Sequence, residues 1–172
     1  LPKPSPALSQ MNLLSGDIRS RKVAILIADG VAESDVSDLR DALRQEGADA
    51  KLIAPSASPV QAENGAELSP EGTWDGLPSV AFDAVFVPGG AASSQAIGAD
   101  GRGLHYLLEA YKHLKPVAFA GDAQALASQL SLPGDPGVVL GATATDVFPG
   151  LRQALMQHRI WQREAATKAI PA

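Results

Sequence analysis

Short apolar runs rich in β-branched residues alternate along the chain with longer segments whose apolar residues recur every three or four positions. The short runs are typical of buried parallel strands, because helices cover both faces of such strands. The longer segments are typical of amphipathic helices. Strands are predicted at residues 22–28, 50–55, 84–90, 117–121 and 137–141, and helices at residues 34–46, 103–114, 123–130 and 147–161.

This alternation predicts an α/β fold with a doubly wound parallel sheet, and the flavodoxin-like strand order 2-1-3-4-5 is expected. Asn64-Gly65, within VQAENGAEL, predicts a hairpin insertion. Ser34 is expected to cap the first helix and Gly47 to end it. The glycine-rich GADGRG, residues 98–103, is interpreted as a flexible connection before a helix.

The chain divides into a proline-rich start, residues 1–20, and one domain, residues 21–172. Three prolines in the first six residues oppose regular structure, so this start is predicted to be a linker or tether. A length of 172 residues suits one domain with a sizeable core. Because the sequence begins at Leu1 rather than Met, we expect either a piece of a longer protein or a chain that has lost a few residues.

Composition narrows the possible functions. A net charge of -5 and a pI near 5.1 disfavour nucleic acid and anionic membranes as partners. The sequence contains no cysteine, which excludes disulfides, thiolate metal sites and thiol catalysis. No apolar run reaches the roughly 18 residues of a membrane span, and no signal peptide is visible. A cytoplasmic location is expected.

Ligands of such sheets bind beyond the carboxyl ends of the strands, so the loops there hold the candidate site. Glu33 and Asp35 could act as acids or bases, or could provide favourable charge near a helix N-terminus. Gly89 and Gly90 could present N–H groups to an oxyanion, or could form a turn with positive φ. Asp122 could be a nucleophile or a helix cap. The candidate pocket comprises Asp29, Gly30, Glu33, Asp35, Pro88, Gly89, Gly90, Gly121 and Asp122.

Other chemistry has weaker support in the sequence. No phosphate-binding glycine motif follows a strand, and His105, His113 and His158 are scattered without metal-ligand spacing. Trp74 and Trp161 are interpreted as packing anchors. The remaining hydroxyl candidates for a nucleophile are Ser93, Ser94, Thr143 and Thr145, and none is placed at a strained strand-to-helix turn.

The segments ADGVAESD, FVPGG and VAFAGDA resemble the class I glutamine amidotransferase-like superfamily, and in particular its PfpI-like branch. By that resemblance the family's glutamate falls on Asp35, its PGG loop on Pro88-Gly89-Gly90, and its nucleophilic cysteine on Gly121. Asp122 takes the position that is often histidine. The resemblance therefore implies a vestigial elbow at Gly121 and Asp122, a vestigial acid at Asp35, and no catalytic residue.

A second resemblance is narrower and spans nearly the whole chain. SPALS, LEAYKHLKPVAFAGDA and HRIWQREAATKAIPA resemble the C-terminal domain of large-subunit haem catalases of the hydroperoxidase type. It implies a parent that dismutates hydrogen peroxide, carries haem in a separate core and forms tetramers. The domain itself would have no cofactor or metal. Its partners would be the catalase core, the parent's oligomer and unfolded client proteins.

Three hypotheses follow. The first is a non-catalytic accessory domain that supports stability and assembly and can act as a chaperone. The second is a divergent PfpI-like hydrolase or glyoxalase, which would need a side-chain nucleophile near Gly90 and Asp122. The third is a flavodoxin-like module that binds a flavin, a nucleotide or another small molecule.

Overall fold

The structure is a computed structural model that describes residues 16–168 and residue 170. Six parallel strands form its main sheet in the order β5-β2-β1-β6-β7-β8. The five long strands therefore follow the predicted order 2-1-3-4-5, and the doubly wound fold is confirmed. The two-residue β5 is added outside β2. The strands are β1 (Lys22–Leu26), β2 (Asp49–Ala54), β5 (Gly72–Thr73), β6 (Ala84–Val87), β7 (Val117–Ala120) and β8 (Val138–Gly141).

Helices cover both faces of the sheet. On β1, Val23 and Ile25 point to one face and Ala24 and Leu26 to the other, as the period of two in a strand requires. Helices α1 and α5 pack on the first face, while α2, α3 and α4 pack on the second. The helices are α1 (Glu33–Gln45), α2 (Ala91–Ala99), α3 (Gly101–Lys112), α4 (Gln124–Gln129), α5 (Ala144–Gln157) and α6 (Glu164–Thr167). Among the described helices, none is both long and apolar enough to cross a membrane.

The hairpin insertion is confirmed. Strands β3 (Val60–Gln61) and β4 (Glu67–Leu68) pair antiparallel around the Asn64-Gly65 turn. Gly65 has a φ of 84°, and the side chain of Asn64 accepts a hydrogen bond from Ala66 N. The hairpin is tied to the loop after β1, because Asp29 accepts from Gln61 N and Gly30 N donates to Gln61 O.

Two local predictions are wrong. Ser34 does not cap α1, because the helix begins at Glu33 with Ala32 as N-cap and no capping side chain. The start of α1 is fixed instead by Ala32 N, which donates to Gly89 O. The segment 98–103 is no flexible connection, because it contains the end of α2 and the first turn of α3. Between them Asp100 caps α3 by accepting a hydrogen bond from Arg102 N.

The predicted linker lies mostly outside the described residues, which begin at residue 16. Just before β1, Ile18 is fully buried in the core under α1 and α5. Ser20 N also donates to Gly47 O at the end of α1. Residues 18–20 thus pack as part of the domain, and the tether prediction for residues 1–15 stays a prediction.

Candidate functional site

Three loops meet at the carboxyl end of the sheet, as the topology requires. The loop after β1 leads into α1, whose first turn holds Asp35, and the segments after β6 and β7 hold Gly89 and Gly121. Asp35 binds Gly89, and a Cβ built on Gly121 would lie 3.5 Å from the Cα of Gly89. The sheet therefore brings together the acid, the glycine loop and the elbow that the sequence singled out.

Asp35 joins two distant loops through its carboxylate. It is buried in the first turn of α1, with 6% of its surface exposed. Its Oδ2 accepts from Gly89 N at 2.8 Å, and its Oδ1 accepts from Ala144 N, the first residue of α5, at 2.7 Å. A buried carboxylate with both oxygens bonded to backbone N–H groups serves as a structural clamp.

The glycine loop is closed by its own neighbours. Gly89 N donates to Asp35, which takes the hydrogen that an oxyanion would need. Gly90 has a φ of 111°, and a Cβ there would overlap the carbonyl oxygen of Gly30 and lie 2.9 Å from Ala32 N. Pro88, Gly89 and Gly90 are all buried. This geometry supports the turn interpretation, in which glycine is needed for backbone conformation and close approach.

Gly121 keeps the backbone shape of an elbow. It follows β7 directly, opens a short 3₁₀ turn (Gly121–Ala123) and has a φ of 51°, in the left-handed region. A Cβ at this position would meet Ala142 O at 3.4 Å and Gly89 Cα at 3.5 Å, which are ordinary contacts. There is thus room for a side chain at the elbow. Glycine has none, so the position cannot supply a nucleophile.

The other residues of the predicted pocket lie outside the buried contacts of Asp35. Asp122 is exposed and caps no helix, so the cap interpretation is wrong. Asp29 is exposed and accepts from the hairpin, while Gly30 packs against Ala92 at the start of α2. Glu33 is partly exposed in the first turn of α1. These residues line the rim of the clamp and form no acid–base pair with Asp35.

The hydroxyl candidates are also placed by the structure. Thr143 closes a capping box with Asp146 at the start of α5, and Thr145 is exposed. Ser93 Oγ accepts from Ala28 N at 3.1 Å, whereas the buried Ser94 Oγ has no hydrogen-bond partner among the described residues. Ser94 lines a cavity of about 470 Å³ between α2 and α4, beside Asp122. No histidine lines this cavity.

Sequence comparison decides the family of this chain. Residues 19–165 match the family model described as the C-terminal domain found in long catalases. That match covers most of the chain.

The chain belongs to this family of catalase C-terminal domains.

The catalase C-terminal domain has relatives in distant organisms. It is 43% identical to Catalase-B of Dictyostelium discoideum over 99% of this chain and 25% of that protein. It is 43% identical to Catalase HPII of Pseudomonas putida over 98% of this chain and 23% of that protein. This chain therefore spans about a quarter of the length of these relatives.

A solved structure titled "Crystal structure of VC2308 protein" shares the fold, with a TM-score of 0.59 and 27% identity over 62% of this chain and 55% of that one.

The tyrosines of this catalase C-terminal domain are engaged in its core and not placed to ligate haem. Haem iron takes an axial His, Cys, Met or Tyr ligand. Both tyrosines lie in the buried face of α3, where Tyr106 donates to Leu77 O and Tyr111 packs under Arg163 at 3.9 Å. Within the described residues, no three His, Cys, Asp or Glu side chains are grouped to hold a metal ion.

The amino end of the sheet holds polar contacts that sequence reasoning missed. Arg163 is 2% exposed and bonds both oxygens of Asp135 at 2.8 Å. Its Nη1 also donates to the carbonyls of Tyr111 and Lys115, at 3.1 Å and 2.7 Å. Burial alone would raise the pKa of Asp135, but the bonds from Arg163 hold it below its ordinary value. Arg163 thus fastens the segment after α5 to α3 and to the start of β7.

Lys115, beside that clamp, is 2% exposed and donates from Nζ to Ser79 O at 2.7 Å. Burial, helped by the charge of Arg159, lowers the pKa of Lys115 to about 8. Lys115 lies just before the start of β7, and the local sequence gives little indication that its side chain is buried. A lysine between a helix and an apolar strand, as in KHLKPVAF, was the only available signal.

Proposed function

We propose that this chain is the non-catalytic accessory domain of a long catalase, where it supports the stability and assembly of the parent. The parent's reaction would be hydrogen peroxide dismutation at haem in a separate core. The observation that carries the proposal is an elbow without a nucleophile beside an acid that is already fully hydrogen-bonded. Gly121 offers no nucleophile, and both oxygens of Asp35 are bonded to backbone N–H groups.

The outer strand of the sheet supports a docking role. Among the described strands, β8 pairs with β7 alone. Leu140 on β8 is 50% exposed, and Val80, before β6, is 71% exposed. An uncovered strand edge with an apolar side chain can pair with another chain. We propose that the parent's core or oligomer covers this edge, and that the same edge gives the isolated domain chaperone-like binding of unfolding clients in the cytoplasm.

Stability of the parent gives the direct test. We would compare the heat-inactivation half-life of the parent catalase with and without residues 16–172. A shorter half-life or loss of tetramers after removal supports the accessory role. Unchanged half-life and unchanged assembly would refute it.

The isolated chain gives a second test. Light scattering from a heated model enzyme should fall when the chain is added in excess, and Leu140→Lys should weaken this effect. Val80→Lys is the matched control at the other exposed apolar position. If the scattering is unchanged by the wild-type chain, the chaperone role is refuted.

A second candidate function is binding of a small molecule, and the cavity beside Asp122 favours it. The cavity has a buried unpartnered hydroxyl at Ser94 and a carboxylate at Asp122, which suits a neutral or cationic ligand with hydrogen-bond donors. Ligand-observed NMR with a library of small amines and amides tests it. Binding that Ser94→Ala and Asp122→Asn both abolish supports the site, and no binding at millimolar ligand refutes it.

A further inference from the structure

The amino end of the sheet carries a cavity of about 310 Å³ with an excess of positive charge. It lies between the end of α3 and the segment that follows α5. Among the residues that line it, Glu164 is the only acid. The lining residues are Lys112, His113, Leu114, His158, Arg159, Trp161, Glu164 and Thr167. We call this the amino-end cavity.

A strained turn shapes its wall. His158, directly after α5, has φ 64° and ψ -47°, and Arg159 N donates to Gln157 O at 2.7 Å. This is a γ-turn of the rare type with positive φ. It places His158 and Arg159 side by side, and His158 Nε2 lies 3.3 Å from Asp83 Oδ1. The three histidines are far apart in the sequence, but the fold brings His113 and His158 to one cavity.

Asp83 is shared among several basic side chains at this end of the sheet. One of its oxygens, Oδ1, is shared by Arg21 at 3.7 Å, His158 at 3.3 Å and Arg159 at 4.0 Å. Its other oxygen, Oδ2, accepts from Lys22 N at 2.9 Å. The contact of Arg159 is therefore the longest of the three. Within the described residues, its guanidinium donates a single hydrogen bond, to His158 O.

The pKa values of the basic groups near this cavity are consistent with few opposing charges. Burial lowers the pKa of Arg159, and Arg21 lowers it further while Asp83 opposes the change. Burial, Arg159 and Arg21 likewise lower the pKa of His158. Lys112 makes no ion pair or hydrogen bond with its side chain among the described residues, so its ammonium is available at the cavity wall. A bound anion would relieve the mutual repulsion of these groups.

We propose that the amino-end cavity binds the phosphoryl group of a small molecule, with Arg159 and Lys112 as its charged ligands and Trp161 as an apolar wall. Arginine suits phosphate oxygens because its planar donors can engage two of them, and lysine adds a point charge. The ring of Trp161 can stack on a planar group attached to the phosphate. Free phosphate and a phosphomonoester with an aromatic base share this chemistry, and the experiment separates them.

The test is a titration of the 172-residue chain with inorganic phosphate, with AMP and with adenosine, followed by amide NMR shifts at low salt. We expect saturable shifts at residues 112–114 and 158–164 with phosphate and AMP and none with adenosine. Tighter binding of AMP than of phosphate identifies a phosphomonoester site, and equal binding identifies a site for free phosphate. Either result supports a phosphoryl site. Absence of saturable binding, or equal shifts with adenosine, overturns it.

Matched variants localise the effect. Arg159→Gln and Lys112→Gln should each weaken phosphate binding by roughly tenfold, because each removes one charged contact. Arg44→Gln is the control, since it removes one exposed charge that pairs with Asp41 on α1. If Arg159→Gln does not fold, Lys112→Gln carries the test, because its side chain has no polar contact to lose. Equal weakening by all three variants would show general charge attraction and overturn the site.

Discussion

The two ends of the sheet differ in what their polar groups do. At the carboxyl end, Asp35 and Gly89 bind one another, and both oxygens of Asp35 are bonded to backbone N–H groups. At the amino end, Arg163 is equally well bonded, but Arg159 and Lys112 border a cavity with little opposing charge. The carboxyl end has the architecture of an active site with its groups engaged in holding loops. The difference is between a buried acid whose hydrogen bonds are complete and basic groups that have few partners among the described residues.

Breaking the ion pair between Arg163 and Asp135, at the amino end of the sheet, is expected to give the largest loss of stability. Arg163→Met should lower the free energy of unfolding by about 2–4 kcal/mol, because the partly buried Asp135 would lose the partner of both its oxygens. The carbonyls of Tyr111 and Lys115 would also lose a donor. Urea unfolding monitored by circular dichroism measures this.

Arg152→Met is the matched control. Arg152 pairs with Glu46 at 2.6 Å, but its side chain is 37% exposed, so solvent screens the pair and the expected loss is much smaller. Similar losses in the two variants would contradict the assignment of Arg163 as the main fastening of the C-terminal segment.

The two glycines of the carboxyl end should respond unequally. Gly90→Ala should cost about 3 kcal/mol or more, because the new Cβ overlaps the Gly30 carbonyl at a φ of 111°. Gly121→Ala should cost about 1–2 kcal/mol, the cost of a left-handed conformation alone. The comparison is made by thermal and urea unfolding. Equal costs would mean that the elbow is as tightly closed as the glycine loop.

Gly121→Cys extends this comparison to chemistry. The variant should fold, but its thiol should react only slowly with a disulfide reagent at neutral pH. Both oxygens of Asp35 are bonded to backbone N–H groups and no histidine lines the cavity beside Asp122, so no base is poised to activate a new thiol. A fast-reacting thiol would show that a working constellation remains.

The smallest effect concerns pH at the amino end. The pKa of His158 lies below its ordinary value, so the unfolded chain binds this proton more readily than the folded one. The free energy of unfolding should therefore fall as the pH drops below about 6.5, through the pKa of the folded state. His158→Gln should flatten that slope, with Asp83, Arg21 and Arg159 still facing the position. An unchanged slope in urea unfolding between pH 5 and 7.5 would contradict it.

Much of the fold was predictable because its signals are local. Continuous apolar runs marked the five long strands, and Asn64-Gly65 marked the hairpin. Helix α2 was missed because AASSQAIGA is made of small residues without an amphipathic stripe. Ser34 looked like a cap, but a hydrogen bond from Ala32 to the distant Gly89 fixes where α1 starts.

The sequence predicted where the candidate site lies on the sheet, but not which groups its residues bind. Because the carboxyl ends of parallel strands meet at one edge, Asp35, Gly89 and Gly121 were expected to be neighbours. That Asp35 binds Ala144, 109 residues away, depends on tertiary structure that no local pattern encodes. The same holds for Arg163 and Asp135, 28 residues apart, and for the meeting of His113 with His158.

The most direct test of the non-catalytic account measures the free energy of unfolding and the turnover of substrates on the same samples. Asp35→Ala should lower the free energy of unfolding by about 3 kcal/mol, because two hydrogen bonds to a buried carboxylate are lost. Wild-type protein should show no turnover of methylglyoxal or of model esters and no oxygen release from peroxide. Wild-type turnover of methylglyoxal that Asp35→Asn abolishes without changing the free energy of unfolding would contradict the non-catalytic account.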